Sequence, residues 1–188
     1  MNYEYYNSLN HDNPNGLQII NDEINEKVCP TKHSIFTRYK NNFSIFIETG
    51  THLGGGIANA LGAGFSEIYS VEIMEEHYEY AKNRWKDKSN VHLYLGDGFE
   101  KLKDIIDKID EPVFFWLDSH FHNSDPTYKE LEIIKNHKIK THTILIDDIP
   151  LYFNKSNIEQ IILQINPNYK ISYEPTIHGI DGILIAKI

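Results

Sequence analysis

A chain of 188 residues, 40% hydrophobic and 24% charged, has the make-up of one soluble globular domain with enough apolar surface for a sizeable core. Its formal net charge of −9 argues against a nucleic-acid backbone or an anionic membrane as partner, because both select basic surfaces. The single cysteine, Cys29, permits no internal disulfide and fits a reducing, cytoplasmic setting, while the amino-terminal stretch lacks the basic start and apolar centre of a signal peptide and no apolar run reaches membrane-spanning length.

Residues 1 to 16 are polar and tyrosine-rich and end in the turn cluster Asn13-Pro14-Asn15-Gly16. Leu17, Ile20, Ile24 and Val28 fall at helical spacing and predict a short amphipathic helix that runs to Cys29 and is stopped by Pro30. A second helix is expected over 32–40. Residues 1–42 are thus expected to form an arm with helices that cover a sheet edge, ahead of one domain over 43–188.

From Phe43 the pattern alternates regularly. FSIFI is a β-branched and aromatic run that reads as a buried strand ending at Glu48, followed by the glycine-rich turn TGTHLGGG and by Ile57, Ala58 and Leu61 at helical spacing. Such a turn lets backbone N–H groups approach a ligand and presents the unpaired donors of a helix N-terminus. Strands are predicted at Ile68–Val71, Val91–Leu95, Val113–Leu117 and Thr143–Ile146, each followed by an amphipathic helix. Asp125-Pro126 supplies an N-cap and a first-turn proline to the third of these helices, and Ser156-x-x-Glu159 has capping-box spacing for the last. Two final strands, near Lys170–Tyr173 and Gly182–Lys187, are joined too closely for a crossover helix and should be antiparallel. The fold class is α/β: a mostly parallel, Rossmann-like sheet covered on both faces, with its ligand edge at the carboxyl ends of the strands.

Each of the first five strands finishes at or beside an acid: Glu48, Glu72, Asp97, Asp118 and the pair Asp147-Asp148. Like charges gathered on one rim repel unless a cation or hydrogen-bond donors are held there. Glu72 closes the second strand, roughly twenty residues beyond the glycine loop, where an acid accepts hydrogen bonds from ribose hydroxyls. Asp97 lies one strand further out, within reach of an adenine amino group. Gly50, Gly54, Gly55 and Gly56 do not spell the dinucleotide fingerprint, and Glu48 would repel a pyrophosphate. An adenosine that carries a cation suits these residues better.

These motifs resemble those of the class I S-adenosylmethionine-dependent methyltransferases, over about Phe43 to Ile188. Glu48-Thr49-Gly50-Thr51-His52-Leu53-Gly54 resembles their first motif, with His52 at the middle glycine. Glu72 matches the ribose acid, Leu95-Gly96-Asp97-Gly98 the adenine motif, and Trp116-Leu117-Asp118-Ser119-His120 the motif facing the methyl group and the acceptor. The resemblance implies strand order 3-2-1-4-5-7-6 and a cofactor site made by Glu48, Gly50, Thr51, His52, Gly54, Glu72, Asp97, Gly98 and Asp118. Within the family the pattern is closest to small-molecule O-methyltransferases of the catechol and macrolide-sugar types. There an Asp after the fourth strand and an acidic pair after the fifth hold Mg²⁺, which implies Asp118, Asp147 and Asp148 as metal ligands. Asp118 and His120 are then the catalytic candidates, His120 as general base. The acceptor would be a small molecule, sugar or phenolic, and Asp118-Ser119-His120-Phe121 in place of D/N-P-P-Y/F speaks against nucleobase substrates. Two other readings stay open: an enzyme of the same fold that cleaves the cofactor, and a non-catalytic module that senses it or scaffolds through the tyrosine-rich N-terminus. His178 has no assigned role.

Overall fold

A computed structural model describes residues 17–18, 29–120 and 126–188. Its centre is a seven-stranded sheet. The strands are β3 (Ile45–Thr49), β4 (Glu67–Glu72), β5 (Val91–Leu95), β6 (Val113–Leu117), β7 (Thr143–Ile146), β8 (Lys170–Thr176) and β9 (Gly179–Lys187). Before them, β1 (Leu17–Gln18) and β2 (Cys29–Pro30) pair antiparallel. The spatial order β5-β4-β3-β6-β7-β9-β8 is the expected 3-2-1-4-5-7-6. The five strands from β5 to β7 pair in parallel, and β9 runs antiparallel to both β7 and β8. Every residue of β3, β6 and β7 is buried, as the continuous apolar runs require of strands covered on both faces.

The period-two alternation of strand side chains separates two cores. Ile45, Ile47, Val113, Phe115, Leu117, Ile144 and Ile146 face one side, against Leu102 of α4 (Gly98–Ile106), Leu131 and Ile134 of α5 (Thr127–Asn136), and Ile158 and Ile162 of α7 (Lys155–Ile165). Phe46, Phe114, Trp116 and Leu145 face the other, against Ile35 and Phe36 of α1 (Lys32–Tyr39) and Ile57 and Ala60 of α2 (Gly55–Gly62). Phe36 is the keystone of that second face, with ring centroids 5.1 Å from Phe46 and 5.0 Å from Trp116. The remaining helices are α3 (Glu75–Trp85) and the short α6 (Ile149–Tyr152).

Three local expectations are corrected. The segment predicted as a helix from Leu17 to Cys29 is bounded by paired strands, Leu17–Gln18 and Cys29–Pro30, so its ends are extended; the rest of it lies outside the described residues, as do residues 1–16 and Asp125. Pro126 is itself the N-cap of α5 rather than its first-turn residue. The cap of α7 is Asn154, whose side chain accepts from the Asn157 N–H at 3.1 Å. Ser156 therefore lies inside the helix: an Asx cap two residues earlier wins over the Ser-x-x-Glu spacing.

Candidate functional site

The parallel ladder continues past the strand ends and sets the acids in register. The backbone N–H groups of Gly50 and Thr51 both donate to Val71 O, Gly96 N–H to Glu72 O, Asp118 N–H to Thr49 O, and Asp147 N–H to Leu117 O, at 2.8–3.2 Å. A continuous cavity of about 800 Å³ opens along this edge. It is lined by Glu48, Gly50, Thr51, His52, Glu72, Asp97, Gly98, Asp118, His120, Asp147 and Asp148. Gly54 is the one expected site residue that does not line it.

Glu48 is 1% exposed and belongs to the strand, not to a solvated loop. Ser70 Oγ donates to its Oε1 at 2.7 Å, and Ser70 Oγ in turn contacts Thr51 Oγ1. Gly56 at the start of α2 is pressed so close that any β-carbon there would overlap Glu48 Oε2. Burial pushes the Glu48 carboxyl up to about 8, against the opposing pull of the Ser70 hydrogen bond and the Lys32 charge. At neutral pH this acid is held largely protonated, next to space in which a cation would ionise it.

The turn that follows needs left-handed backbone at Gly50 (φ 89°), His52 (φ 47°) and Gly54 (φ 78°). His52 thus adopts the conformation for which glycine is usual at that place in the motif, and its ring packs edge-on against His77 at 4.6 Å. Its N–H donates to Glu72 Oε2 at 2.7 Å, while Met74 N–H donates to Glu72 Oε1 at 2.8 Å. Glu72 is therefore fixed by two backbone donors and keeps one further lone pair on each oxygen for a ligand. Gly54 fits tightly under Trp85, whose indole nitrogen a β-carbon there would overlap; its part is to shape the turn. Asp97 caps α4 by accepting from Phe99 N–H at 2.9 Å through Oδ1, and Gly98 is backed by Glu130.

At the other end of the cavity the arrangement differs from the expected one. Lys32, in the first turn of α1, reaches Asp118 Oδ2 at 2.8 Å and Asp147 Oδ2 at 3.1 Å. Its ammonium lies 4.7 Å from the centroid of the Trp116 ring. Burial alone would lower the Lys32 pKa, but the two carboxylates raise it, so it is charged throughout the physiological range. Asp147 is buried and pushed up by desolvation. Asp148, in left-handed backbone with φ 54°, is raised to about 7 by burial and by the Asp147 and Asp118 charges. His120 stacks on Tyr152 at 4.7 Å, and its Nε2 lies 3.1 Å from the Asp147 carbonyl oxygen. A carbonyl only accepts, so Nε2 carries the proton and Nδ1 is the basic nitrogen. Nδ1 is buried with no partner among the described residues.

The trio expected to hold Mg²⁺ does not assemble as such. The ligand atoms that come within 4.8 Å of one another are those of Asp118, His120 and Asp148, whereas the Asp147 carboxylate is turned to Lys32. Mg²⁺ requires oxygen ligands in near-octahedral array; an imidazole in the group and an ammonium already on Asp118 do not fit that ion. Sequence reasoning missed Lys32, which meets Asp118 across 86 positions of chain with no motif around it. It also missed Ser70 and Glu130, the latter accepting from Ser119 Oγ at 2.8 Å. His178, unassigned from sequence, lines the cavity with Nε2 3.7 Å from Asp148 Oδ1.

No protein-family model matches the chain, and neither does any curated protein sequence. Many solved structures share the fold. One is the O-methyltransferase from Bacillus cereus in complex with SAH, with a TM-score of 0.63 and 16% identity, covering 84% of this chain and 78% of that one. An SAH-bound methyltransferase from Podospora anserina has a TM-score of 0.59 and 14% identity and covers 83% and 75%. A methyltransferase from Geobacter sulfurreducens has a TM-score of 0.60 and 13% identity, with the same coverage of both chains. At these identities the likeness is one of fold: the Rossmann-like methyltransferase fold. No helix among the described residues is long and apolar enough to cross a membrane.

Proposed function

We propose that the protein is an S-adenosylmethionine-dependent methyltransferase that acts on a hydroxyl of a small acceptor, of sugar or phenol type. The observation that carries this reading is the convergence of Glu48, Glu72, Asp97 and Asp118, from four adjacent strand ends, on one cavity of about 800 Å³. That volume lies within the range of about 300–1,000 Å³ usual for cofactor and ligand sites. The fit to the cofactor rests on chemistry. A buried acid that desolvation holds largely neutral stands at the amino-acid end, and an acid with two fixed oxygens and two spare lone pairs stands at the ribose.

When bound, the cofactor supplies a methyl group on a positively charged sulfur, and that charge is lost in transfer. The chain's residues bind and align. Glu48 takes the ammonium, Glu72 the ribose hydroxyls and Asp97, with Gly98, the adenine edge. Gly50, Thr51, His52 and Gly54 give the turn its course around the ligand. Asp118 faces the methyl and the acceptor, and His120 is the candidate to take the acceptor proton, which requires its ring to turn so that the buried Nδ1 meets the cavity.

Calorimetry of the full chain with S-adenosylmethionine, S-adenosylhomocysteine and NAD tests the reading. Binding of the first two but not of NAD is expected, and absence of binding by the first two refutes it. Appearance of S-adenosylhomocysteine together with a methylated acceptor separates transfer from cleavage and from sensing.

A further inference from the structure

We propose that Lys32 is the cation of the acceptor half of the site: its ammonium stands where a divalent ion would otherwise be held, and it binds the acceptor oxygen directly. The inference rests on the methyl-transfer reading for the identity of the acceptor, but not for the charge arrangement itself. Lys32 Nζ lies 2.8 Å from Asp118 and 3.1 Å from Asp147, the residues that directly follow two neighbouring strands. An ammonium has three N–H donors. Two are engaged by these carboxylates, and the side chain, 38% exposed, lines the cavity with room for a third bond.

The position is built rather than incidental. Ile35 and Phe36, on the next turn of α1, are fully buried, and Thr31 caps the helix by accepting from Ser34 N–H at 3.2 Å. The backbone of Lys32 is thereby anchored over the strand ends, and the Trp116 ring supports its ammonium. A positive charge in the first turn opposes the helix dipole, so the helix gains nothing from this lysine; the acids do. An ammonium also repels a second cation. With Asp118 and Asp147 both committed to it, the group left within 4.8 Å, Asp118, His120 and Asp148, offers a metal ion little uncompensated charge. The consequence for a substrate is specific: a lysine donates to a single acceptor oxygen, where a chelating metal would select a vicinal pair of oxygens.

The test is titration of MnCl₂ and MgCl₂ into the full-length wild type and Lys32→Ala by calorimetry, with S-adenosylhomocysteine titrated into both proteins in parallel. The wild type is expected to give no divalent-ion binding up to millimolar concentration, and Lys32→Ala to gain it by at least tenfold. Lys32→Arg is expected to stay silent, because charge and not shape excludes the ion. Should Lys32→Ala fail to fold, Lys32→Met keeps the stem over Trp116 and is read in its place. Metal binding by the wild type equal to that of the variant, or none by either, overturns the proposal. Failure of both proteins to bind S-adenosylhomocysteine refutes the methyltransferase reading instead and leaves the metal comparison to decide the role of Lys32.

Discussion

Glu48 offers the sharpest quantitative handle on the cofactor end. Burial raises its pKa from 4.5 to about 8. For an acid raised in the folded state, the native form holds the proton more tightly than the unfolded chain. Stability is then greatest below the unfolded value and is lost as pH climbs through the folded one. The loss at pH 7 amounts to about 3 kcal/mol. Glu48→Gln, which keeps an acceptor for Ser70, is expected to recover about 2 kcal/mol of this, raising the Tm of the ligand-free protein by about 5 °C at pH 7–8 and by much less at pH 5. The same substitution removes the proposed partner of the cofactor ammonium. On the proposed assignment that ammonium ionises Glu48, so binding should release roughly one proton at pH 7, and affinity should rise about tenfold between pH 6.5 and 8. Calorimetry with S-adenosylhomocysteine in two buffers of different ionisation enthalpy reads the proton directly. Affinity without pH dependence, no proton release, and no thermal gain in Glu48→Gln would together refute the assignment of a neutral Glu48 facing a cation.

Three further outcomes are expected. Glu72→Ala removes the proposed ribose acceptor and strands the N–H groups of His52 and Met74, so S-adenosylhomocysteine affinity should fall by roughly 10² or more, about 3 kcal/mol for lost charge-assisted bonds, as read by calorimetry. Gly50→Ala forces a side chain into backbone with φ 89° and into the Asp118 carbonyl oxygen, whereas Gly64→Ala, at φ 82°, meets nothing within 4 Å; urea denaturation should show about 1 kcal/mol lost at Gly64 and at least twice that at Gly50. His142, buried and facing His137, is depressed to about 4 by burial and then by that neighbour; it accepts from Val113 N–H at 3.0 Å. Because the unfolded chain takes up this proton below about 6.5 and the folded one does not, acidification from pH 7 to 5 should cost about 2 kcal/mol through this residue. A difference in Tm between wild type and His142→Asn that does not narrow by several degrees over that range would refute the inference.

The sheet was legible because its central strands are short, β-branched and aromatic runs with turn residues on either side. Val91–Leu95, Val113–Leu117 and Thr143–Ile146 were read to the residue for that reason. The ends of the Leu17–Cys29 segment misled because apolar residues at helical spacing do not by themselves exclude extended ends, and the pairing of Leu17 with Pro30 spans residues that no local pattern connects. The cap of α7 was misplaced because Asn154 and Ser156 offer the same hydrogen bond, and only the backbone decides between them. At the site, the acids could be placed from sequence because topology brings every strand end to one edge. Their environments could not be. Glu48 reads as the first residue after a strand, yet it is walled by Gly56 and Ser70, and Lys32 enters from a helix that precedes the whole sheet.

The ligand-free site meets its crowding of negative charge with three devices, and their distribution follows the proposed division of labour. Glu48, Asp147 and Asp148 are driven towards the protonated form. Glu72 is held by backbone N–H groups, and Asp118 by the ammonium of Lys32. At the proposed cofactor end the proton of Glu48 and the spare lone pairs of Glu72 are readily given up to a cationic, hydroxyl-rich molecule, whereas the upward shifts of Asp147 and Asp148 belong to the acceptor end. A tethered ammonium does not leave. It stands at the acceptor end, where a fixed positive charge beside the incoming hydroxyl oxygen favours the oxyanion that attacks and repels a second metal or organic cation. The proposed acceptor end thus differs in carrying a tethered cation, whose field would persist while a cofactor came and went.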